Sequence, residues 1–236
     1  MTAIILAAGV GRRMGPNARP KCLMPIGGRT LLRRSLEALQ AAGVAHVVVV
    51  VGYQAPAVAA EARAHAGGLR LTLLENPRYR EGAILSLWTA REQFTDDLLI
   101  MDADVLYAPA LLDRLMASSS RNCLLVDGAS TDTGEEQMVL GRAGRALQIT
   151  KQPSARDQQD LTMFGESVGF LKLGSEAAGR LRALLEERVR AGQVMIEHEQ
   201  VYPALFAELP VGYERVDHLP WIEIDTPDDL ARAERL

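Results

Sequence analysis

The chain has 236 residues, which at roughly 100–200 residues per domain is one large domain or one domain with a small annex. At 48% hydrophobic and 24% charged residues it has ordinary globular composition, which excludes a disordered tail protein. The net charge of −4 hides a segregation: residues 1–80 carry 11 basic and 3 acidic side chains, net +8, and residues 81–236 carry 15 basic and 27 acidic, net −12. A basic first third joined to an acidic remainder suits a ligand with an anionic part and a cationic or metal-bound part. Uneven surface decoration is the competing explanation.

The two cysteines, Cys22 and Cys123, are too few for a disulfide framework or a zinc site. The start, Met1-Thr2-Ala3-Ile4, has none of the regions of a signal peptide. The apolar run Val47–Val51 is far short of the roughly 20 residues of a membrane span. The expectation is a cytoplasmic protein with no membrane partner. Nucleic-acid binding is disfavoured, because the basic residues accompany a glycine loop rather than a long stripe.

Ile4–Ala8 is a short apolar run closed by Gly9, a buried strand leading into a loop. Thr30 to Ala42 carries a helical stripe of Leu31, Leu32, Leu36 and Leu39, ended by Gly43. Val47–Val51 is β-branched throughout, as in a parallel strand covered on both faces. Ala55 to Ala66 predicts a helix stopped by Gly67-Gly68, and Leu71–Leu74 a strand. Ala83 to Phe94 predicts a helix, Leu98–Met101 a strand, and Pro109 opens another helix. This alternation implies a parallel sheet with right-handed crossovers. After Cys123 the pattern changes: Gln137–Leu140 and Ala146–Thr150 flank Gly141–Arg145 as a hairpin. Ser175 to Ala191 and Pro227 to Leu236 are helical. The whole predicts one α/β domain over 1–236, its second half adding antiparallel strands and a lid.

The loop after the first strand reads Leu6-Ala7-Ala8-Gly9-Val10-Gly11-Arg12-Arg13-Met14-Gly15. Glycines there let backbone N–H groups approach phosphate oxygens, and Arg13 and Lys21 add positive charge. A dinucleotide fold needs G-x-G-x-x-G and an acid after the second strand. Here the third glycine is one place late, and the second strand ends Val51-Gly52-Tyr53. A Walker loop needs G-K-[ST], which this loop lacks. A purely structural turn gives no reason for four arginines and a lysine between residues 12 and 29.

Asp102-Ala103-Asp104 directly follows the strand Leu98–Met101, and alternate residues share a face. In an open α/β sheet ligands bind outside the carboxyl ends of the strands. Hard oxygen ligands there suit Mg²⁺. The alternative is a solvated loop or helix cap. Thr226 before Pro227 caps the last helix without any catalytic role, but that leaves Asp225 unexplained. Glu223 alternates with Asp225 and is placed to face the same cleft.

Leu6 to Met14 is similar to the L-A-A-G-x-G-x-R-M signature of the nucleotidyltransferases that activate sugar phosphates and phospho-alcohols. Pro20-Lys21, Val51-Gly52-Tyr53, Asn76–Tyr79, Asp102–Asp104 and Trp221–Pro227 extend the likeness over essentially the whole chain. Within that family the chain most resembles bacterial phosphocholine cytidylyltransferases. The resemblance implies a Rossmann-like three-layer nucleotidyltransferase fold, with a mostly parallel central sheet and an antiparallel acceptor-binding annex. It implies a nucleotide-binding half, 1–125, and an acceptor-binding half, 126–236, which supplies the second metal ligand. It also implies Mg²⁺-dependent transfer of CMP from CTP to a small phosphorylated alcohol, phosphocholine-like, with pyrophosphate released. A sugar-1-phosphate or inositol-phosphate nucleotidyltransferase is the alternative enzyme, and a nucleotide-binding regulatory module the alternative outside catalysis.

The resemblance carries roles onto particular residues. Arg13, Lys21, Asp104 and Asp225 become the catalytic set, with Asp104 and Asp225 holding Mg²⁺ and Asp102 a candidate for a second metal. Leu6, Ala7, Ala8, Gly9, Gly11, Gly52, Gly82, Ala83, Ser86 and Asp102 join Arg13 and Lys21 in the nucleotide site. Related cytidylyltransferases have Asn or Ser where this chain has Ala83, so the choice of base rests on the resemblance alone. In the second half Lys151 is the candidate for the acceptor phosphate, and Glu166 and Glu199 for a cationic head group. Trp221, with Tyr79, Trp88 and Tyr107, allows an aromatic cage for a quaternary amine. The four histidines are scattered along the sequence and form no cluster. A phosphate dianion is already nucleophilic, so the reaction needs none of them.

Overall fold

The computed structural model describes residues 1–15 and 18–236. The parallel half of the sheet is β1 (Thr2–Ala7), β4 (His46–Val51), β5 (Arg70–Glu75) and β6 (Leu98–Asp102), in the order β5-β4-β1-β6. The short pair β2 (Pro25–Ile26) and β3 (Arg29–Thr30) forms a separate hairpin. Three helices cross over between the parallel strands: α1 (Leu31–Ala41), α2 (Ala55–His65) and α3 (Ile84–Thr89). Thr30 caps α1, its hydroxyl accepting from Arg33 N at 3.1 Å. The Val47–Val51 run is at most 4% exposed, and its residues alternate between two separate apolar cores, one on each face of the sheet. A strand enclosed on both faces has no polar side to display, so its sequence is continuous valine.

The remaining elements are β7 (Val105–Tyr107), α4 (Pro109–Ala117), β8 (Cys123–Asp127), β9 (Met138–Arg142), β10 (Arg145–Thr150), α5 (Ala155–Asp160), β11 (Thr162–Leu173), α6 (Ser175–Arg190), α7 (Tyr202–Glu208), β12 (Gly212–Arg215), β13 (Trp221–Glu223) and α8 (Pro227–Ala233). The antiparallel part is built around β11. Its C-terminal residues, Phe170–Leu173, pair with β6, and its N-terminal residues pair with β9. The strand therefore serves two neighbours on one side, bending between them. Register shifts occur at Met163/Gly165 and Ser167/Leu171, where Gly165 (φ 137°) and Gly169 (φ 83°) adopt angles other residues rarely reach.

Several elements differ from their sequence expectation. The helix expected over Ala83 to Phe94 is α3 followed by a tight turn at Arg91–Gln93, its last hydrogen bonds closing three residues back. The hairpin strands run further inward than the sequence suggests. Its two-residue turn is Ala143-Gly144, with φ of 53° and 74°, the left-handed pair that a tight hairpin turn requires. The interrupting glycines also hid β11 from sequence reading.

No helix among the described residues is long and apolar enough to cross a membrane. Phe170 is 1% exposed and meets Tyr107 edge-on, with 4.8 Å between ring centroids. Phe170→Ala is expected to cost about 3–5 kcal/mol, measured as a lower urea midpoint at unchanged slope.

Candidate active site

The C-terminal ends of β1 and β6 open onto a cavity of about 620 Å³. The loop leaving β1 bends at Gly11, which is left-handed at φ 64°. A side chain there would press on Lys21, since a Cβ would lie 3.0 Å from Lys21 Cγ. The bare glycine thus allows Lys21 to cross beneath the loop. Arg13 follows on a single helical turn, Arg12–Met14.

A small ribbon joins the two distant aspartates. After Asp104 the chain enters β7, which pairs antiparallel with β13 so that Val105 faces Glu223 and Tyr107 faces Trp221. The Ile224 N–H donates to the Asp104 carbonyl at 2.9 Å. Asp225 then caps no helix itself; Thr226 does, through a reciprocal box with Asp229. The ribbon leaves Asp104, Glu223 and Asp225 with carboxylate oxygens within 4.8 Å of one another.

Lys21 Nζ lies 2.8 Å from Asp104 Oδ2 and also donates to Asp225. Arg13 donates to the other Asp225 oxygen at 2.5 Å and approaches Glu135 at 3.4 Å. Burial by itself lowers the Lys21 pKa, but the charges and hydrogen bonds of Asp104 and Asp225 outweigh it and raise the ammonium above its ordinary value. Glu223 reaches solvent through the cavity. Desolvation by the walls, then the charges of Asp104 and Asp225, push it up to about 8. Asp102 is raised well above the usual carboxylate range, first by desolvation and then by Glu199 and Asp104. These carboxylates fit a divalent cation: they are hard oxygen donors and lie close together.

Of the residues the sequence singled out, Leu6, Ala7, Ala8, Gly9, Gly11, Arg13, Lys21, Gly82, Ala83, Ser86, Asp102, Asp104, Lys151, Glu166, Glu199 and Asp225 all line this one cavity. Gly52 does not. It lies behind the loop, where a Cβ would stand 2.9 Å from the Ala8 carbonyl oxygen, and the next residue, Tyr53, donates its N–H to that carbonyl at 3.0 Å. Trp221 does not line the cavity either. It is two residues back along the ribbon from Glu223, about 7 Å by strand geometry, and its indole N–H donates to Asp127 at 2.9 Å. Trp88 is covered by the Arg91 guanidinium at 3.8 Å, and Tyr107 packs on Phe170. Only Tyr79 of the four proposed cage aromatics lines the cavity, so the aromatic cage is not assembled.

The base-side wall is held from behind. Buried Asn76 donates to the Ser86 hydroxyl at 3.1 Å. Gly82, at φ 143°, meets the segment after α6: a Cβ would lie 1.8 Å from the Val194 carbonyl oxygen. That segment, Met195–Gln200, lines the cavity and brings in His198. Sequence reading gave the histidines no part in the reaction, but one of them joins the cavity wall. His198 sits 3.7 Å from Asp102 and 3.1 Å from Glu199. Sequence reading weighed Glu199 beside it but passed over the histidine. Arg12, Arg80, Glu135 and Glu197 also line the cavity without having been singled out.

The description "MobA-like NTP transferase domain" matches residues 3–201. The chain belongs to that family. It is 37% identical over 258 residues to the CMP-5'-(3-aminopropyl)phosphonate synthase of Streptomyces rubellomurinus, covering 98% of this chain and 38% of that protein. It is 30% identical over 237 residues to the bifunctional IPC transferase and DIPP synthase of Rubrobacter xylanophilus, covering 99% of this chain and 51% of that protein. The chain thus spans about half the length, or less, of these relatives. The solved CTP:phosphocholine cytidylyltransferase of Streptococcus pneumoniae superposes with a TM-score of 0.74 at 20% identity, covering 99% of this chain and 97% of that one. The likeness establishes the nucleotidyltransferase fold.

Glu166 generates a pH prediction. It accepts from the Ser130 hydroxyl, yet desolvation, together with Glu136 and Asp127, raises its pKa above the ordinary 4.5. A carboxyl raised in the folded state favours folding below its ordinary pKa and loses that contribution as pH climbs through the folded value. Glu166→Gln is therefore expected to match the parent near pH 4 and to exceed it at pH 8, read as melting temperature across that range.

Proposed function

We propose that the protein is a Mg²⁺-dependent cytidylyltransferase that moves CMP from CTP onto a small phosphorylated acceptor and releases pyrophosphate. The observation that carries this reading is the convergence of Arg13, Lys21, Asp104 and Asp225 in one ion-pair network beside the glycine loop. These four groups come from separate parts of the sequence and supply both signs of charge that the reaction needs. CTP is the favoured nucleotide because the relatives' names include a CMP-phosphonate synthase and the solved neighbour uses CTP. Inositol phosphate and sugar 1-phosphates stand as alternative acceptors. A regulatory module that binds nucleotide without turnover has no use for the complete catalytic set.

An acceptor phosphate oxygen attacks the α-phosphorus and pyrophosphate departs in line. Backbone N–H groups around Gly9 and Gly11, together with Arg13, hold the departing β,γ-phosphates. Lys21 stabilises the charge that develops at the α-phosphate. Gly82, Ala83 and Ser86 border the base and ribose, and Gly52 supports the loop from behind. Lys151 takes the acceptor phosphate, and Glu166 and Glu199 the remainder of the acceptor. Asp104 and Asp225, with Glu223 beside them, would hold the Mg²⁺, and Asp102 remains the candidate for a second cation. Held there, the cation would supply neutralisation of phosphate charge. Residues 1–125 act as the nucleotide half and residues 126–236 as the acceptor half.

Two measurements test this reading. Lys21→Ala and Asp104→Ala should each lower pyrophosphate release about 10²–10³-fold while the protein stays folded by circular dichroism. Near-normal turnover in either variant removes that residue from the catalytic set. The second concerns the nucleotide-free protein, where Lys21 is placed on the same carboxylates that hold the metal. Lys21→Met should bind Mn²⁺ more tightly than the parent by titration calorimetry, although it turns over less. Weaker Mn²⁺ binding in that variant contradicts the shared use of Asp104 and Asp225.

A further inference from the structure

Behind the base-side wall, Asn76 is held at three points. It directly follows β5, and its backbone N–H donates to the Val51 carbonyl at 2.8 Å. Its side-chain oxygen Oδ1 accepts from the Arg78 N–H at 2.9 Å, reaching across Pro77, which has no N–H to compete. A backbone N–H only donates, so that contact decides which end of the amide is oxygen. The other end, Nδ2, therefore faces Ser86 and lies 3.1 Å from its Oγ. Asn76 is 1% exposed and does not itself line the cavity.

An amide NH₂ group donates and does not accept, so the Ser86 hydroxyl is the acceptor in this bond. Its own proton is left over. On the same helix the Thr89 hydroxyl turns its proton back to the Leu85 carbonyl at 2.7 Å. Ser86 makes no bond of that kind, and no second hydrogen bond among the described residues. It lines the cavity, so the proton is available to whatever fills that space. Ala83 lines the same wall with a methyl group and reads nothing by hydrogen bonding.

We propose that Asn76 is a positioning residue that fixes the Ser86 hydroxyl as a donor toward the cavity, so that this wall selects a pyrimidine whose ring nitrogen N3 accepts a hydrogen bond. Cytosine has such a nitrogen, whereas uracil and thymine carry a proton at the same place. The inference rests on the cytidylyltransferase reading above, in which Ser86 borders the base, and adds the means by which the base is chosen. A serine hydroxyl free to rotate both donates and accepts, and reads the two kinds of ring alike. Locked as a donor, it pairs with cytosine. Against uracil two donors meet, and each loses its water partner without gaining another.

The test measures CTP and UTP binding by titration calorimetry without an acceptor, so the answer does not depend on turnover. The parent is expected to bind CTP about 10–100-fold more tightly than UTP, the effect of leaving buried donors unpaired. Asn76→Asp, measured at pH 8, keeps an oxygen for the Arg78 N–H and sets a second acceptor against Ser86. The Ser86 proton then turns to the carboxylate and its lone pairs face the cavity. The preference should fall to unity or invert in favour of UTP, a change that loosened packing does not produce. Ser86→Ala should bring the ratio toward unity through weaker CTP binding, and it decides the matter if Asn76→Asp fails to fold by circular dichroism. Equal binding of CTP and UTP by the parent overturns the proposal, as does a preference for UTP. An equal loss for both nucleotides in either folded variant also overturns it and assigns Ser86 to the ribose or to packing. A CTP preference that responds as expected in a protein that releases no pyrophosphate leaves this inference standing and removes the transferase reading. Binding of neither nucleotide removes both.

Discussion

Asp104 and Asp225 carry like charges into a partly enclosed cleft, and Lys21 holds them together. Two carboxylates this close repel strongly when little water screens them. The ammonium between them offsets that repulsion, and Arg13 adds a second positive charge at Asp225. The arrangement constrains everything around it. Lys21 has to pass under the glycine loop, which requires a bare Cα at Gly11. Asp225 has to return to Asp104 from the far end of the chain, which requires the β7–β13 ribbon. Removing one member of such a network leaves the others charged and unpaired, so the groups are mutually dependent for position.

The same network links structure to chemistry. Its cations are of the kind that pair with phosphate, and its anions are of the kind that hold a metal. On the proposed reading, a nucleoside triphosphate with its metal would offer each group a new partner of the right sign, leaving none stranded. The opposite charges of the two parts of the chain, +8 over residues 1–80 and −12 over residues 81–236, meet at this point. Part of the remaining charge is in ordinary surface ion pairs, such as Arg180 with Glu208 and Arg215 with Asp217, which contribute little.

The parallel half of the fold was legible because its signals are local. Val47–Val51 reads as a doubly covered strand, and Thr226 reads as a helix cap, from a few adjacent residues. The second half was harder. In β11, Gly165 and Gly169 break the apolar pattern, yet they are what allow the strand to bend and serve both β6 and β9. The aromatic residues misled for a related reason. Trp221 lies near Asp225 in sequence, but strand geometry carries it away from Glu223 and onto Asp127. His198 was passed over because nothing within the sequence around it connects it to Asp102, 96 positions earlier.

The sequence by itself determined the strand–helix alternation, the glycine loop, and the identity of the charged residues that belong to it. Those are properties of short segments, fixed by side-chain periodicity and backbone freedom. Only the tertiary structure decided which charges meet. Lys21, Asp104 and Asp225 become neighbours because parallel strands end at one edge and a two-stranded ribbon folds back to it. Asp102, His198 and Glu199 become neighbours because the segment after α6 closes on Gly82. Electrostatic interaction depends on distance and enclosure, and neither is a property of position along the chain.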